Sequence, residues 1–172
     1  MKKPLLILPL ALILCFMVGC QDKAAMAEVE EQNKGIVRKG FKLCDEGNIE
    51  GLMETLAPNS LWYSPSNSPA PMSKEELREL LVMFYNAFSE RNQKIEEIMA
   101  VGDKVIARVI AINTHIGEYR GIPATGNKLV VYSSIMIFSL VDGKIVEVRE
   151  NRDNLGLKQQ LGMELKPKEG EK

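Results

Sequence analysis

The second half of the chain contains four segments rich in Val, Ile and Tyr, separated by short turn sequences. The segments are Lys94–Val101, Lys104–His115, Lys128–Leu140 and Lys144–Arg152. The turns Val101-Gly102-Asp103-Lys104 and Val141-Asp142-Gly143-Lys144 are typical of tight hairpins, and the Asp-Gly pair is the stronger of the two signals. Because successive strands joined by such turns pair with each other, the pattern predicts an antiparallel sheet.

The first half of the chain shows helical spacing instead. Apolar residues three and four positions apart predict a first helix over Glu28–Glu46, which Gly47 and Asn48 would end. A second, short helix is expected from Ile49 and would end before Pro58.

Three further elements complete the expected order. Ser60–Tyr63 is a candidate first strand, and Ser73 with Glu76 has the spacing of a capping box before an apolar stripe that extends to Phe88. A closing helix is expected over Asn154–Leu161. Helices followed by an antiparallel meander predict an α+β domain with its helices on one face of the sheet.

The N-terminus predicts export. Lys2 and Lys3 precede an apolar run from Leu5 to Val18, which is shorter than a membrane-crossing helix requires and leads to Gly19-Cys20. This ending resembles the lipobox of bacterial lipoproteins, in which Cys20 would be lipidated and become the first mature residue. An ordinary secretory signal or a short membrane anchor is the alternative.

The domain boundaries follow from this interpretation. We expect a signal peptide at 1–19, a tether at 20–27, the folded domain at 28–163 and a charged, disordered tail at 164–172. The lipid would hold the protein to the bacterial cell envelope. Gln21 after the cysteine resembles the sorting pattern for the outer membrane of a Gram-negative cell.

Composition narrows the chemistry. The chain has 22 basic and 23 acidic residues. It therefore lacks the clustered basic excess that is typical of a nucleic-acid-binding surface. Only Cys44 lies outside the signal and the lipid site, and its position on an apolar stripe predicts a buried, inert thiol. His115 is the only histidine, which excludes a His-rich metal cluster.

Three motifs in the second half resemble one family. They are Gly121-Ile122-Pro123-Ala124-Thr125-Gly126, Gly143-Lys144-Ile145-Val146-Glu147 and Asp153-Asn154-Leu155-Gly156-Leu157-Lys158-Gln159-Gln160-Leu161-Gly162. With the order of elements, they resemble the SnoaL-like polyketide cyclase family, also called ester cyclases, over about residues 28–163. The resemblance implies the cone-shaped α+β barrel of the nuclear-transport-factor-2-like superfamily. In this fold a curved antiparallel sheet wraps around the N-terminal helices and leaves a pocket.

The resemblance also implies a mechanism without cofactor or metal. In catalytically active relatives a carboxylate in the pocket acts as acid and base during ring closure, and by motif position this acid falls on Asp153. The family usually has a histidine and then a tryptophan after Glu147, whereas this chain has Val148-Arg149. The implied pocket wall therefore carries a guanidinium in place of an aromatic ring.

Strand alternation places Glu147, Arg149, Asn151 and Asp153 on one face of the last strand. Such a polar row is either exposed to solvent, as periodicity favours, or lines the pocket, as the resemblance favours. Asp153 is accordingly a proton carrier, or else a helix cap or an ion-pair partner of Arg149. Arg149 and Asn151 are candidate ligand-binding residues.

The remaining candidates are a histidine and three aromatic residues. His115 is either a structural histidine or an acid, base or hydrogen-bond donor at the pocket. Trp62, Tyr119 and Tyr132 are candidate ligand-binding residues, although aromatic side chains at such spacings are more often plain core.

Three functions remain open from the sequence. The first is a tethered domain whose pocket binds a small, largely apolar or carbonyl-bearing molecule. The second is a cofactor-free acid-base enzyme of the cyclase, isomerase or hydrolase type, in which Asp153 carries the proton and His115 and Arg149 polarise a carbonyl. The third is an interaction module that forms a homodimer through its sheet. Export argues against polyketide ring closure itself, which follows synthesis in the cytosol.

Overall fold

A computed structural model describes residues 7–126 and 128–166, and it describes side chains from residue 23 onward except that of Lys128. The elements are α1 (Ile7–Asp45), α2 (Ile49–Thr55), β1 (Leu56–Tyr63), β2 (Met72–Ser73), α3 (Lys74–Ala87), β3 (Phe88–Val101), β4 (Lys104–His115), β5 (Lys128–Val141), β6 (Lys144–Arg152) and α4 (Asn154–Gln160). The predicted α+β class and the order of the elements are confirmed.

The six strands form one curved, unclosed sheet in the order β2-β1-β6-β5-β4-β3. The long strands β3 to β6 pair antiparallel with their neighbours in sequence, as the hairpin turns predict. The sheet differs from the prediction in its extent, because β3 begins at Phe88 rather than Lys94 and the short strand β2 was not expected. It also differs in its pairing, because β1 pairs with β6 in parallel. This pairing is non-local, so no turn sequence could reveal it.

Helix α1 begins further upstream than the expected residue, Glu28. The segment Ala24-Ala25-Met26-Ala27 contains strong helix formers and no Gly or Pro, so the segment expected to be a tether continues the helix. Residues 23–29 are exposed, and the first buried residue of α1 is Asn33, whose Nδ2 donates to the Gly102 carbonyl at 3.1 Å. The buried part of α1 therefore starts near Asn33.

The end of α1 is determined by its sequence. Gly47 has a φ of 71°, and the amides of Asn48 and Gly47 bond to the carbonyls of Leu43 and Cys44. These two bonds make a Schellman motif, which satisfies carbonyls at the end of the helix. The predicted stop at Gly47 and Asn48 is confirmed.

Helix α3 also starts as predicted. Ser73 accepts from the Glu76 amide, and the Glu76 carboxylate accepts from the Ser73 amide at 2.7 Å, which completes the capping box. Helices α1 and α3 cover the inner face of the sheet. They pack against a core that includes Phe41 and Phe138, whose rings meet edge to face at 5.9 Å.

Helix α4 covers the part of β5 that extends beyond β6. The Gln160 side chain accepts from the Val131 amide at 2.9 Å and donates to the Val131 carbonyl, so it replaces a neighbouring strand there. Residues 163–166 follow without regular secondary structure, and the rest of the expected tail lies outside the described residues. Within the described part of the chain, no helix is both long and apolar enough to cross a membrane.

Candidate functional site

A cavity of about 890 Å³, a volume that includes its open mouth, lies between the inner face of the sheet and helices α1 and α3. Its walls are mostly apolar. The lining residues are Val37, Gly40, Phe41, Cys44, Leu52, Leu56, Trp62, Leu77, Leu80, Leu81, Phe84, Arg91, Gln93, Asn113, Tyr132, Met136, Phe138, Ile145 and Arg152. A mostly apolar lining with a few polar groups is typical of a small-molecule site.

The polar groups of this wall come from the strands. Arg91 and Gln93 lie on β3, Asn113 on β4, Tyr132 on β5 and Arg152 on β6. No Asp or Glu is among the described lining residues. The wall therefore presents two guanidinium groups and no carboxylate.

A bulge in β6 decides which of its residues face inward. Glu147 pairs with Ser139 but Ile145 pairs with Leu140, so Val146 is an extra residue in β6. After the bulge the alternation places Val148 and Glu150 in the interior, where each is 1% exposed. Arg152 continues this inward row and reaches the cavity.

Glu150 is held by four hydrogen bonds. Arg152 Nε donates to Oε1 at 3.0 Å and Nη2 donates to Oε2 at 3.1 Å, which makes the pair bidentate. Ser134 Oγ donates to Oε1 at 2.9 Å and Trp62 Nε1 donates to Oε2 at 3.2 Å. The carboxylate thus lies behind the cavity wall and orients two of its lining residues.

The environment determines the protonation of this polar region. Burial lowers the pKa of Arg152, but the charge of Glu150 and its hydrogen bonds outweigh burial and raise the pKa. Burial raises the pKa of Tyr132 to about 12, although the Arg152 charge opposes this shift. At neutral pH Arg152 is therefore charged and Tyr132 is a neutral phenol.

A second polar region of the cavity wall contains Arg91 on β3 and Asn113 on β4. The Arg91 guanidinium carbon lies 3.7 Å from the centre of the Tyr85 ring, and Nη1 donates to the Phe88 carbonyl at 3.2 Å. Arg91 Nε and Asn113 Nδ2 are both buried, and neither has a hydrogen-bond partner among the described residues. The neighbouring residue Gln93 already has hydrogen-bond partners, because its main-chain N–H and its side-chain Nε2 both donate to Asp45.

Comparison with known proteins identifies the family of this chain. A family model described as SnoaL-like polyketide cyclase matches residues 36–161. The chain belongs to this family. No curated protein sequence matches this SnoaL-like chain.

Solved structures show the same fold as this SnoaL-like domain. AclR from Streptomyces galilaeus, described as a candidate hydroxylase, is 24% identical with a TM-score of 0.70, covering 80% of this chain and 97% of that protein. IdmH from Streptomyces antibioticus, a candidate polyketide cyclase, is 23% identical with a TM-score of 0.66 and coverages of 77% and 99%. An LEH-like epoxide hydrolase from M. tuberculosis is 15% identical with a TM-score of 0.61 and coverages of 77% and 90%.

Asp153 does not face the cavity of this SnoaL-like domain. Its side chain is exposed and caps α4, where Oδ1 accepts from the Gly156 amide at 2.8 Å. Gly156 permits this approach, because a Cβ there would collide with the Asp153 carboxylate. The expectation that Asp153 projects into the pocket is wrong, and the cap alternative is confirmed.

Arg149 and Asn151 also face away from the cavity. Arg149 is bonded to Glu147 at 2.8 Å and lies over the Tyr63 ring, and Asn151 is exposed and accepts from the Ser66 amide. The placement of this row in the pocket is therefore wrong. The residues do share one strand face, and that face is the outer one, as periodicity favours.

His115 and Tyr119 belong to a second buried cluster beside the cavity, and neither lines it. His115 is fully buried, its ring centre lies 5.0 Å from that of Phe88, and its Nδ1 is 2.9 Å from Thr125 Oγ1. Burial lowers the pKa of His115, which keeps the imidazole neutral. Tyr119 packs its ring against Phe84 and Phe88.

Trp62 and Tyr132 do line the cavity, whereas Cys20 lies outside the residues whose side chains are described. Cys44 is partly buried rather than fully buried, lines the cavity, and has a pKa that burial raises. No group of His, Cys, Asp and Glu suited to a metal ion occurs in the described ranges.

Sequence reasoning missed Arg91, Asn113, Glu150 and Arg152. Glu150 and Arg152 could have been found, because they share the strand face of Val148, which is the apolar and therefore inward side of β6. Arg91 could not have been found in this way, because the direction of its side chain depends on an irregularity in β3 that no turn residue marks.

We predict that Asp153→Ala lowers the free energy of unfolding by about 1 kcal/mol, because the α4 cap is lost. Asp153→Asn should leave stability nearly unchanged, since the amide oxygen accepts the same bond. Urea unfolding of both variants measures this difference. Equal destabilisation by both substitutions, or loss of a ligand-dependent activity in a fully stable Asn variant, would contradict the cap role.

Proposed function

We propose that this domain binds a small, largely apolar molecule that carries a carbonyl or similar oxygen group. The supporting observation is the cavity, whose apolar walls meet a few convergent polar groups on the strands. Membership of the SnoaL-like family agrees with a small-molecule ligand. Arg152, Tyr132 and Asn113 supply hydrogen-bonding groups at the wall.

The positions and hydrogen bonds of Asp153 and Glu150 favour ligand binding over acid-base catalysis. Asp153 is outside the cavity, and Glu150 is the one acidic residue that is fully buried within the described part of the chain. Both oxygens of Glu150 already accept hydrogen bonds from Arg152, Ser134 and Trp62. A proton acceptor must be free to reach its substrate, so this carboxylate is better suited to positioning.

Cofactor-free catalysis of the cyclase, isomerase or hydrolase type is the second candidate, with Glu150 in place of Asp153. It is supported by the 3.2 Å bond from Trp62, the longest of the four, which a ligand could replace. A compound that co-purifies with the protein and is converted during incubation would favour this candidate. Recovery of the unchanged compound favours binding.

Occupancy of the cavity can be tested with the neutral fluorescent probe N-phenyl-1-naphthylamine. Trp62 is the only tryptophan and lines the cavity, so energy transfer from it reports probe bound there. We expect Gly40→Leu to weaken probe binding about tenfold or more, because the new side chain enters the cavity, a loss equivalent to about 1.4 kcal/mol. Fluorescence titration measures the dissociation constant.

Gly35→Leu is the matched control for this experiment. Gly35 lies on the same helix but is exposed, and a Cβ added there would have nothing within 4 Å. Both substitutions raise helix propensity equally, so they differ only in the space they fill. Equal affinity of the two variants for the probe would refute the proposed site.

We further propose that Cys20 carries a lipid that holds the domain to the bacterial cell envelope, after removal of residues 1–19. The sequence of the leader supports this, and the exposed stretch 23–29 of α1 would separate the domain body from the membrane. Two acyl chains would make such an anchor lasting.

Expression in a lipoprotein-processing bacterium tests the anchor. We expect intact-mass spectrometry to show a mature protein that begins at a diacylated Cys20 and partitions with membranes. Cys20→Ser should remain unprocessed and lack the lipid mass, whereas Cys15→Ser, within the leader, should behave as wild type. Lipid-free, processed wild-type protein in the soluble fraction would reject the proposal.

A homodimer through the sheet remains the interaction-module alternative. The outer face of β5 presents Val131, Ile135 and Ile137, which are 39%, 50% and 39% exposed. Burial of such an apolar row would favour association.

Light scattering of the purified domain tests the dimer. We expect a dimer mass for wild type and for Val82→Lys, which places the same charge on exposed α3. Ile135→Lys should give a monomer, because the charge would be buried without a partner. A monomeric wild type at all concentrations would exclude this alternative.

A further inference from the structure

The charges at the cavity wall are unbalanced. Arg152 is neutralised by Glu150 in a bidentate pair, but Arg91 has no ion-pair partner among the residues described. Asp45 accepts both the main-chain and the side-chain N–H groups of the lining residue Gln93, and it makes no ion pair with Arg91. At the cavity wall Arg91 is therefore a guanidinium without a directly paired carboxylate among the described residues.

The unsatisfied groups at this end of the cavity are hydrogen-bond donors. Arg91 Nε and Asn113 Nδ2 are buried without partners in the described part of the chain, and Asn113 is only 2% exposed. The strand register pairs Asn92 with Ile112, so Arg91 lies beside Asn113 on the neighbouring strand. Burying two adjacent donors without an acceptor is costly, and such groups in native proteins call for an explanation.

The chain deforms β3 to bring Arg91 inward. The pairing of β3 with β4 is irregular between Ser89 and Asn92, and Glu90 has a φ of 49°, which is unfavourable for a residue with a side chain. In a regular strand Phe88 and Arg91 would lie on opposite faces, but here both face inward. Bulges of this kind often redirect a side chain near a functional site.

We infer that the ligand of this cavity is an amphipathic carboxylate, whose anionic group binds Arg91 and Asn113. Its apolar part would lie along Leu77, Leu80, Leu81 and Phe84, which line the wall supplied by α3. A carboxylate suits the site because it carries a single negative charge and accepts hydrogen bonds from guanidinium and amide groups. The inference rests on the proposed function, since it names the class of ligand for the same cavity.

The experiment compares octanoate with 1-octanol, which share an eight-carbon chain and differ in charge. Each displaces N-phenyl-1-naphthylamine from the full mature protein, and the displacement gives its dissociation constant. We expect octanoate to bind wild type about tenfold or more tightly than octanol, because a hydrogen bond to a charged group is the stronger one.

Substitutions then locate the carboxylate. Arg91→Met and Asn113→Leu keep the approximate size of each side chain and remove its donors, so each should weaken octanoate binding and leave octanol binding nearly unchanged. Arg38→Met is the control, because it removes the same charge from an exposed position on α1. Retained octanol binding shows that a variant is folded.

The outcomes separate the two proposals. If octanol binds wild type as tightly as octanoate, or if Arg91→Met keeps the preference for octanoate, the carboxylate inference is overturned while the cavity remains a binding site. If the fluorescent probe and both compounds fail to bind, the proposed function fails as well. If Arg91→Met does not fold, the carboxylate inference is decided by the preference of wild type for octanoate over octanol and by the loss of that preference in Asn113→Leu.

Discussion

The buried ion pair of Glu150 and Arg152 connects the fold to the site. Glu150 receives hydrogen bonds from β1, through Trp62, from β5, through Ser134, and from Arg152 on its own strand. Removing one partner of such a pair commonly costs about 3–5 kcal/mol, because a charge is left buried and uncompensated. The pair therefore fixes the position of two cavity-lining side chains and the parallel contact between β1 and β6.

The two polar regions of the cavity have different roles, because only one of their arginines is paired with a carboxylate of the protein. Arg152 is balanced by a carboxylate of the protein, so its charge is already used in holding the sheet together. Arg91 lies on the Tyr85 ring and has no such carboxylate among the described residues, so its charge remains for a ligand. Membership of a family of cyclases does not decide this point, because the same fold supports several chemistries and function depends on the residues of the site.

The sequence predicted the fold well because the relevant signals were local. The Asp142-Gly143 turn, the Ser73 capping box and the Gly47 stop each depend on residues a few positions apart, and each is present in the structure. The site was predicted less well. The motif position selected Asp153, although the inward face of the same strand carries Glu150. Trp62 and Tyr132 were correctly placed at the cavity, but Arg149, Asn151, His115 and Tyr119 were not.

The sequence by itself determined the helices, the hairpins and the α+β class, because periodicity and turn chemistry act over short distances. Its three motifs also resembled the family that the comparison shows. Tertiary structure decided the rest of the cavity, above all the inward position of Arg91 beside Asn113. Two irregular strands, β6 at Val146 and β3 at Glu90, change which face their following residues occupy, and no turn residue marks either irregularity. A single extra residue reverses every later side chain in a strand, so the chemistry of the site depends on contacts that the local sequence does not encode.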